Sequence, residues 1–197
     1  MPMIRNIIFD VGKVLVNYQW RPYMDTFGFT EDVYQRVEQA VFLNPDWILG
    51  DMGAVTPDEW LNLMISKEPA LEKEIRAVYD GFGAVIEKFP YTDAWVGHFR
   101  EKGYHLYYLS NFPEELHRKS YDTLRFLDDF DGGIFSWKVK CIKPEEKIYR
   151  LLLEQYHLKP EECLFYDDTA VNIEAAKKLG INSILFQQDI ALQMLEK

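Results

Sequence analysis

The sequence predicts an α/β protein in which a Rossmann-like parallel β-sheet is sandwiched by helices and carries an inserted all-helical cap. Three observations predict this class. Ile4 and residues 7–9 form a short apolar run that stops at an acid, Asp10. Residues 17–89 show helical patterns and no convincing strand. Beyond them, apolar strands alternate with helices up to residue 186, which is typical of right-handed βαβ units and a parallel sheet.

The first predicted strand contains Ile7, Ile8 and Phe9 and ends at Asp10, with a turn at Gly12. An apolar run this short, bounded by a glycine turn, indicates a strand that is buried on both faces. Asp10 is therefore expected at the carboxyl end of a central strand, where ligands bind in open α/β sheets. Because a buried carboxylate needs a cation or a donor, we interpret Asp10 as a nucleophile and metal ligand.

The helical block divides the chain into a catalytic core of residues 1–16 and 90–197 and a cap of residues 17–89. A cap of this kind is expected to close over the site and to decide which substrate enters. The cap residues that we expect to face the site are Asn17, Trp47, Asp51 and Met52, although Trp47 could equally belong to the core of the cap.

The remaining elements follow from apolar periodicity and from helix start and stop signals. The clearest start is Thr56, where Pro57 and Glu59 complete a capping box. The other predicted helices begin at Thr30, cover residues 71–89, 91–102 and 114–127, begin again at Lys143 and cover residues 172–179. The later strands are predicted at residues 104–109, 133–136, 163–166 and 181–186.

Composition narrows the classes of function and partner. The 197 residues carry a formal net charge of −10 with no local cluster of Lys and Arg, so we expect no nucleic-acid partner. A small anionic substrate stays possible, because a metal ion can reverse the field inside one cleft. Cys141 and Cys163 have neither metal-ligand nor disulfide spacing. With no signal peptide and no membrane-spanning run, we expect a cytoplasmic protein without a membrane partner. The expected oligomeric state is a monomer or a weak homodimer.

Polar residues that could carry chemistry follow three of the predicted strands. These are Asp10, the pair Ser110 and Asn111, and the pair Asp167 and Asp168, and Lys143 precedes a helix nearby in the chain. Any one of them alone would be explained by a turn. A parallel sheet, however, gathers its carboxyl ends along one edge, so all of them are expected in one crevice. Crowded carboxylates suit Mg²⁺, which also takes phosphate as a ligand.

These residues resemble the four ordered motifs of the haloacid dehalogenase superfamily. The first motif contains Asp10 and Gly12, the second Ser110, the third Lys143 with Pro144, and the fourth Asp167 with Asp168, followed by Asn172. The resemblance covers the whole chain, including a helical cap between the first and second motifs. The most similar subgroup is the small bacterial phosphatases that act on sugar phosphates such as α-D-glucose 1-phosphate, which share the Asp-X-Gly form of the first motif.

The resemblance implies a Mg²⁺-dependent phosphomonoesterase with an aspartyl-phosphate intermediate on Asp10. It implies that Asp10, the Gly12 carbonyl oxygen and Asp168 bind the metal, while Asp167 acts through water or from behind the ligands. Ser110 and the backbone N–H of Asn111 are implied to bind phosphoryl oxygens, and Lys143 to balance their charge. Small phosphorylated metabolites are the implied substrates.

Gly12 departs from the pattern of most phosphatases in this superfamily, which carry a second Asp there as general acid and base. Proton transfer of this kind contributes about 10²–10⁴-fold to the rate. Either the substrate has a good leaving group, or a cap residue or a water replaces the missing acid, since Lys13 would stay protonated. The alternative is a catalytically weak or inactive metabolite-binding or interaction protein of this fold. A sugar phosphomutase is a third hypothesis, which Gly12 disfavours.

Overall fold

The computed structural model describes residues 3–196, whose strands form a five-stranded parallel sheet and a two-stranded antiparallel sheet. The large sheet has the order β5-β4-β1-β6-β7, so the first strand is central, as predicted. The strands are β1 (Asn6–Phe9), β2 (Val16–Tyr18), β3 (Ile86–Lys88), β4 (His105–Ser110), β5 (Gly132–Phe135), β6 (Cys163–Asp167) and β7 (Asn182–Leu185).

Helices fill the insertion between β1 and β4 and cover both faces of the large sheet. The insertion contains α1 (Trp20–Asp25), α2 (Glu31–Val41), α3 (Trp47–Asp51), α4 (Pro57–Lys67) and α5 (Glu72–Asp80). The rest of the chain contains α6 (Thr92–Glu101), α7 (Glu114–Lys119), α8 (Tyr121–Leu124), α9 (Ser136–Val139), α10 (Glu146–Gln155), α11 (Ala170–Lys178) and α12 (Gln188–Leu195). In residues 3–196, no helix is both long enough and apolar enough to span a bilayer.

The side chains of β1 show that the sheet is covered on both faces. All four residues of the strand are buried. Phe9 packs into one apolar cluster with Trp95 of α6, whereas Ile8 packs into a second cluster with Tyr149 of α10. Because successive side chains of a strand point to opposite faces, these two clusters are helix layers on opposite sides of the sheet. The predicted fold class is confirmed.

The strand order places a crevice at the carboxyl end of β1. From β1 the chain continues to β4 on one side, whereas β6 continues to β7 on the other side. The direction of winding therefore reverses between β1 and β6. In open α/β sheets this reversal is where loops separate and ligands bind.

The prediction that residues 17–89 contain no strand is wrong. β2 and β3 pair antiparallel at the two ends of the insertion, with Val16 opposite Lys88 and Tyr18 opposite Ile86. Each strand has three residues, and the partners are far apart in the chain. No local pattern of alternation can therefore predict them, because only the tertiary fold brings the two ends together. The exact division at residues 16/17 and 89/90 stays a prediction.

The third cap helix is shorter than predicted, because α5 ends at Asp80 instead of reaching residue 89. Two glycines end it where other chain segments approach closely. A Cβ on Gly81 would lie 2.1 Å from the hydroxyl oxygen of Tyr23, and one on Gly83 would lie 2.3 Å from the carbonyl oxygen of Lys119. The helix predicted over residues 114–127 is likewise divided into α7, α8 and a 3-10 turn. The capping box of Thr56 is present as predicted.

Candidate functional site

Three carboxylates lie together at the carboxyl ends of β1 and β6. Asp10 follows β1 directly, Asp167 is the last residue of β6, and Asp168 follows it. Oxygen atoms of the three side chains lie within 4.8 Å of one another. Asp10 and Asp167 are buried, whereas Asp168 is half-buried and reaches the solvent side of the group. One cation could therefore contact more than one of these carboxylates.

The ammonium group of Lys143 lies between two of the acids. Its Nζ is 2.9 Å from Oδ1 of Asp10 and 2.6 Å from Oδ2 of Asp167, and the side chain is 1% exposed. Burial by itself lowers the pKa of Lys143, but the two carboxylates raise it above its ordinary value. Burial raises the pKa of Asp10 to about 6, although Lys143 opposes the rise. At neutral pH, Lys143 is therefore a cation and Asp10 an unprotonated nucleophile.

Asn111 holds Lys143 in place through its main chain. The Nδ2 atom of Asn111 donates to the carbonyl oxygen of Lys143 at 2.9 Å, and the backbone N–H of Lys143 donates to Oδ1 of Asn111 at 2.8 Å. This pair of hydrogen bonds ties the loop after β4 to the loop before α10. The side chain of Asn111 is thus a positioning group, a role that its place after a strand does not reveal.

Asp167 and Asp168 differ in how far their oxygens are already used. Asp167 accepts hydrogen bonds from Lys143, from Nδ2 of Asn172 and from the backbone N–H of Thr169. Asp168 accepts one from the hydroxyl of Thr169 and lies 3.9 Å from the exposed ammonium of Lys13. Asp168 is therefore the acid with oxygens available to a metal, while Asp167 orients Lys143.

Ser110 ends β4 beside Asp10 and carries a buried hydroxyl. By distance and angle its Oγ atom has no hydrogen-bond partner among residues 3–196, although the hydroxyl lies close enough to Asp10 to lower the pKa of that carboxyl group slightly against the effect of burial. A buried polar group without a partner costs about 1–3 kcal/mol, so such groups in native proteins call for an explanation. A ligand oxygen bound above β1 and β4 would supply the partner.

A cavity of about 280 Å³ opens above these residues and separates them from the helical insertion. Gly12 and Asp168 lie at its floor, and Asp51 lines it from the insertion. Of the four cap residues expected there, Trp47 and Asp51 line the cavity, while Asn17 and Met52 do not. The apolar side chains around it are Tyr18, Trp47, Ile86, Phe112, Pro113 and Leu116.

Trp47 fulfils both of the roles proposed for it. Its ring packs edge-on against Trp60, with centroids 4.9 Å apart, and also contacts Phe82 and Tyr18. It is therefore part of the aromatic core of the insertion and at the same time a wall of the cavity. Tyr18 was not among the residues expected at the cavity, because it belongs to β2, a strand that the local sequence pattern does not predict.

Gly12 leaves open the position where a second acid would stand. A Cβ built on this residue meets no other atom of residues 3–196 within 4 Å. The position therefore offers space beside Asp10 and no side chain that could move a proton.

The donor set fits a hard divalent cation. It consists of carboxylate oxygens beside an open cavity, which is the ligand type that Mg²⁺ prefers. Asp10, Asp167 and Asp168 are the carboxylates whose oxygens lie close enough together to share such an ion, and Gly12 lines the cavity beside them. The neighbouring hydroxyl of Ser110 could donate a hydrogen bond to an anion bound there.

Comparisons with known proteins agree with this arrangement. A family model for haloacid dehalogenase-like hydrolases matches residues 4–180. The chain is 26% identical over 195 residues to the phosphorylated carbohydrates phosphatase of Thermotoga maritima, a match that covers 90% of this chain and 82% of that protein. It is 27% identical over 195 residues to acyl-CoA dehydrogenase family member 10 of Mus musculus, where the match covers 91% of this chain and 18% of the mouse protein.

A solved structure has the same fold. A HAD family enzyme from Bacteroides thetaiotaomicron, in complex with magnesium and inorganic phosphate, superposes with a TM-score of 0.76 at 23% sequence identity. The superposition covers 93% of this chain and 94% of that chain. Because the family model matches residues 4–180, the chain belongs to the haloacid dehalogenase-like hydrolase family, as its four motifs predict.

Proposed function

We propose that the chain is a Mg²⁺-dependent phosphatase that hydrolyses the phosphomonoester of a small metabolite, a sugar phosphate, through an aspartyl-phosphate on Asp10. The observation that carries this proposal is the cluster of Asp10, Asp168 and Lys143 beneath a cavity, with the unpartnered hydroxyl of Ser110 next to it. The cluster offers a nucleophile, a cation and a donor to one phosphoryl group.

The relatives of this chain support both the class of enzyme and the type of substrate. The predicted phosphatase activity is confirmed by the family match and by relatives that are named as phosphatases. The Thermotoga maritima relative is named for phosphorylated carbohydrates, which supports a sugar phosphate as the substrate of this chain. The structural neighbour that holds magnesium and inorganic phosphate supports Mg²⁺ as the metal.

The described side chains account for the chemical steps. A carboxylate oxygen of Asp10 attacks phosphorus while the bond from phosphorus to the leaving oxygen breaks, and water later hydrolyses the aspartyl-phosphate. Lys143 balances the charge of Asp10 and of the phosphoryl oxygens from a fixed position. The hydroxyl of Ser110 and the backbone N–H of Asn111 bind phosphoryl oxygens.

The metal would be held by Asp10, by the Gly12 carbonyl oxygen and by Asp168, with Asp167 behind them. When bound there, Mg²⁺ supplies positive charge that reduces the repulsion between the attacking carboxylate and the phosphate. Asp167 keeps Lys143 oriented through its 2.6 Å contact. The cap of residues 17–89 closes the cavity over the substrate and excludes water from it.

Release of inorganic phosphate from a panel of sugar phosphates tests the proposal. We expect turnover with Mg²⁺, no turnover after chelation, and loss to background in Asp10→Asn. Asp122→Asn, at an exposed position of α8, is the matched control and keeps the wild-type rate. If Asp10→Asn and the wild type release phosphate at the same rate, the proposal is wrong. Calorimetric binding of a sugar phosphate without any release would instead support the alternative of an inactive binding protein.

A further inference from the structure

An alkyl phosphate needs a proton on its leaving oxygen, and the site beneath the cavity does not provide the donor. Gly12 has no side chain. The ionisable side chains among the cavity residues are Lys13, Tyr18, Asp51 and Asp168. Lys13 is 67% exposed, and Asp168 belongs with the metal ligands. Burial raises the pKa of Tyr18 well above its ordinary value, so it is a poor acid at neutral pH. Among these four side chains, Asp51 is therefore the remaining candidate for the proton donor.

Hydrogen bonds tie the backbone of Asp51 to the loop that follows Ser110. The hydroxyl of Ser136, at the start of α9, donates to the carbonyl oxygen of Asp51. The same hydroxyl oxygen accepts a hydrogen bond of 2.9 Å from the backbone N–H of Phe112. Gly53 lies two residues after Asp51, and the ammonium group of Lys140 donates a hydrogen bond to its carbonyl oxygen. The end of α3 is thus fastened to the sheet side of the cavity, and its position relative to the phosphate-binding loop is defined.

Two glycines on either side of Asp51 allow this close seating. A Cβ on Gly50 would lie 2.5 Å from the ring of Trp60, inside the insertion. A Cβ on Gly53, which has a φ of +58°, would lie 2.5 Å from the carbonyl oxygen of Trp137 on the other side. The segment therefore contacts the insertion and the sheet side simultaneously, and only glycine fits at both contacts. Such packing fixes the backbone at Asp51, which suits a residue whose side chain must meet a substrate atom.

The surroundings of the Asp51 carboxyl group favour its protonated form. Burial raises the pKa of the Asp51 carboxyl group to about 7. A hydrogen bond from the indole of Trp47 and the positive charge of Lys143 oppose this rise, whereas the negative charge of Asp10 adds to it. The phenol of Tyr18 also faces this group. A carboxylic acid that holds its proton near neutral pH can give it to a leaving group and take one back.

We propose that Asp51, contributed by the helical insertion, is the general acid and base that stands in for the side chain missing at Gly12. This inference rests on the proposed function. In the first step the phosphorus–oxygen bond to the alcohol breaks as the Asp10–phosphorus bond forms, and the proton of Asp51 moves to the alcohol oxygen. In the second step water attacks phosphorus, its proton returns to the Asp51 carboxylate, and the bond from Asp10 to phosphorus breaks. The enzyme regains its starting form and releases inorganic phosphate.

A comparison of leaving groups tests the role of Asp51. p-Nitrophenyl phosphate releases a phenolate that leaves without a proton, whereas a sugar or alkyl phosphate releases an alkoxide that needs one. We expect Asp51→Asn to lower kcat/KM, which reports the step that forms the aspartyl-phosphate, by about 10²–10⁴-fold with the alkyl phosphate and by less than about 10-fold with p-nitrophenyl phosphate. The later hydrolysis of the aspartyl-phosphate is common to both substrates and does not enter kcat/KM. Asp58→Asn, at an exposed position of the same insertion, should change neither rate.

The outcomes separate the two proposals. Asp10→Asn abolishes turnover of both substrates if the proposed function is right, and a wild type that hydrolyses neither substrate removes both proposals together. With an active wild type, equal losses of kcat/KM on the two substrates in a folded Asp51→Asn variant would mean that Asp51 only shapes the cavity. Unchanged rates would also overturn its role. Partial recovery of alkyl phosphate turnover in Asp51→Glu supports proton transfer, because the carboxyl group returns at a different reach.

Discussion

Replacing Lys143 with Met should destabilise the protein strongly, because two buried carboxylates lose their shared cation. The ammonium is 2.9 Å from Asp10 and 2.6 Å from Asp167, on a side chain that is 1% exposed. Breaking a buried ion pair costs about 3–5 kcal/mol, since the remaining charge has no compensation. In a chain of 197 residues each kcal/mol lowers Tm by about 2–4 °C, so we expect a loss of about 6–20 °C.

Thermal unfolding at pH 7 and pH 5, without added metal, measures this effect. The pKa of Asp10, already raised to about 6, rises further without Lys143. A carboxyl group whose pKa is higher in the folded than in the unfolded state binds protons more tightly when folded, so the stability gap to the wild type narrows as the pH falls from 7 to 5. Lys13→Met is the matched control, because its ammonium is 67% exposed and 3.9 Å from Asp168. It should change stability by less than about 0.5 kcal/mol.

The reasoning about Lys143 would be refuted by either of two results. One is a Lys143→Met variant as stable as Lys13→Met at pH 7. The other is a loss of stability that is the same at pH 5 and pH 7, because it would show that packing and not uncompensated charge causes it.

Three further predictions concern the cavity. Ser110→Ala should lower kcat by about 10²–10³-fold, because the site loses one donor to the phosphoryl oxygens, and it should not lower the free energy of unfolding. A variant that loses stability but keeps its kcat would contradict this role of Ser110. Gly53→Ala should destabilise by about 1–3 kcal/mol in chemical denaturation, because its Cβ meets the Trp137 carbonyl oxygen at a positive φ. Gly97→Ala, a helical glycine with open space, is its control and should stabilise by roughly 0.5–1 kcal/mol. In a pH profile, kcat/KM should fall above about pH 7 as the Asp51 acid loses its proton, and Asp51→Asn should lack this limb; an unchanged limb in that variant would contradict the assignment.

Much of the sheet could be predicted from the sequence, because its strands are locally encoded. Ile7, Ile8 and Phe9 form a short apolar run before a glycine turn, which favours a strand buried on both faces, and the structure has that strand at the centre of the sheet. The capping box at Thr56 is likewise formed by residues three positions apart. Such signals depend on neighbours in the chain and survive without knowledge of the fold.

The strand pair of β2 and β3 and the end of α5 could not be predicted in the same way. Gly81 looks like a weak point inside a helical pattern, and what makes it a helix end is the approach of Tyr23 from another helix. Tyr18 lines the cavity only because its strand pairs with residues at the far end of the insertion. The place of Asp51 in the cap makes it a candidate for the cavity. Nothing local, however, indicates that the hydroxyl of Ser136 donates a hydrogen bond to its carbonyl oxygen and positions it there.

The order of polar residues along the chain by itself determined the family and the type of fold. It also determined which acids meet, because parallel strands bring their carboxyl ends to one edge of the sheet whatever the loops do. The resemblance already implied that Asp168 binds the metal while Asp167 acts from behind it, and only the tertiary structure decided which contacts separate the two acids. Lys143 and Asn172 occupy the oxygens of Asp167, while Asp168 stays open to the cavity. The contact from Lys143 joins side chains 24 residues apart in the chain, so burial and hydrogen-bond competition in the folded protein decide it and no pattern of neighbouring residues records it.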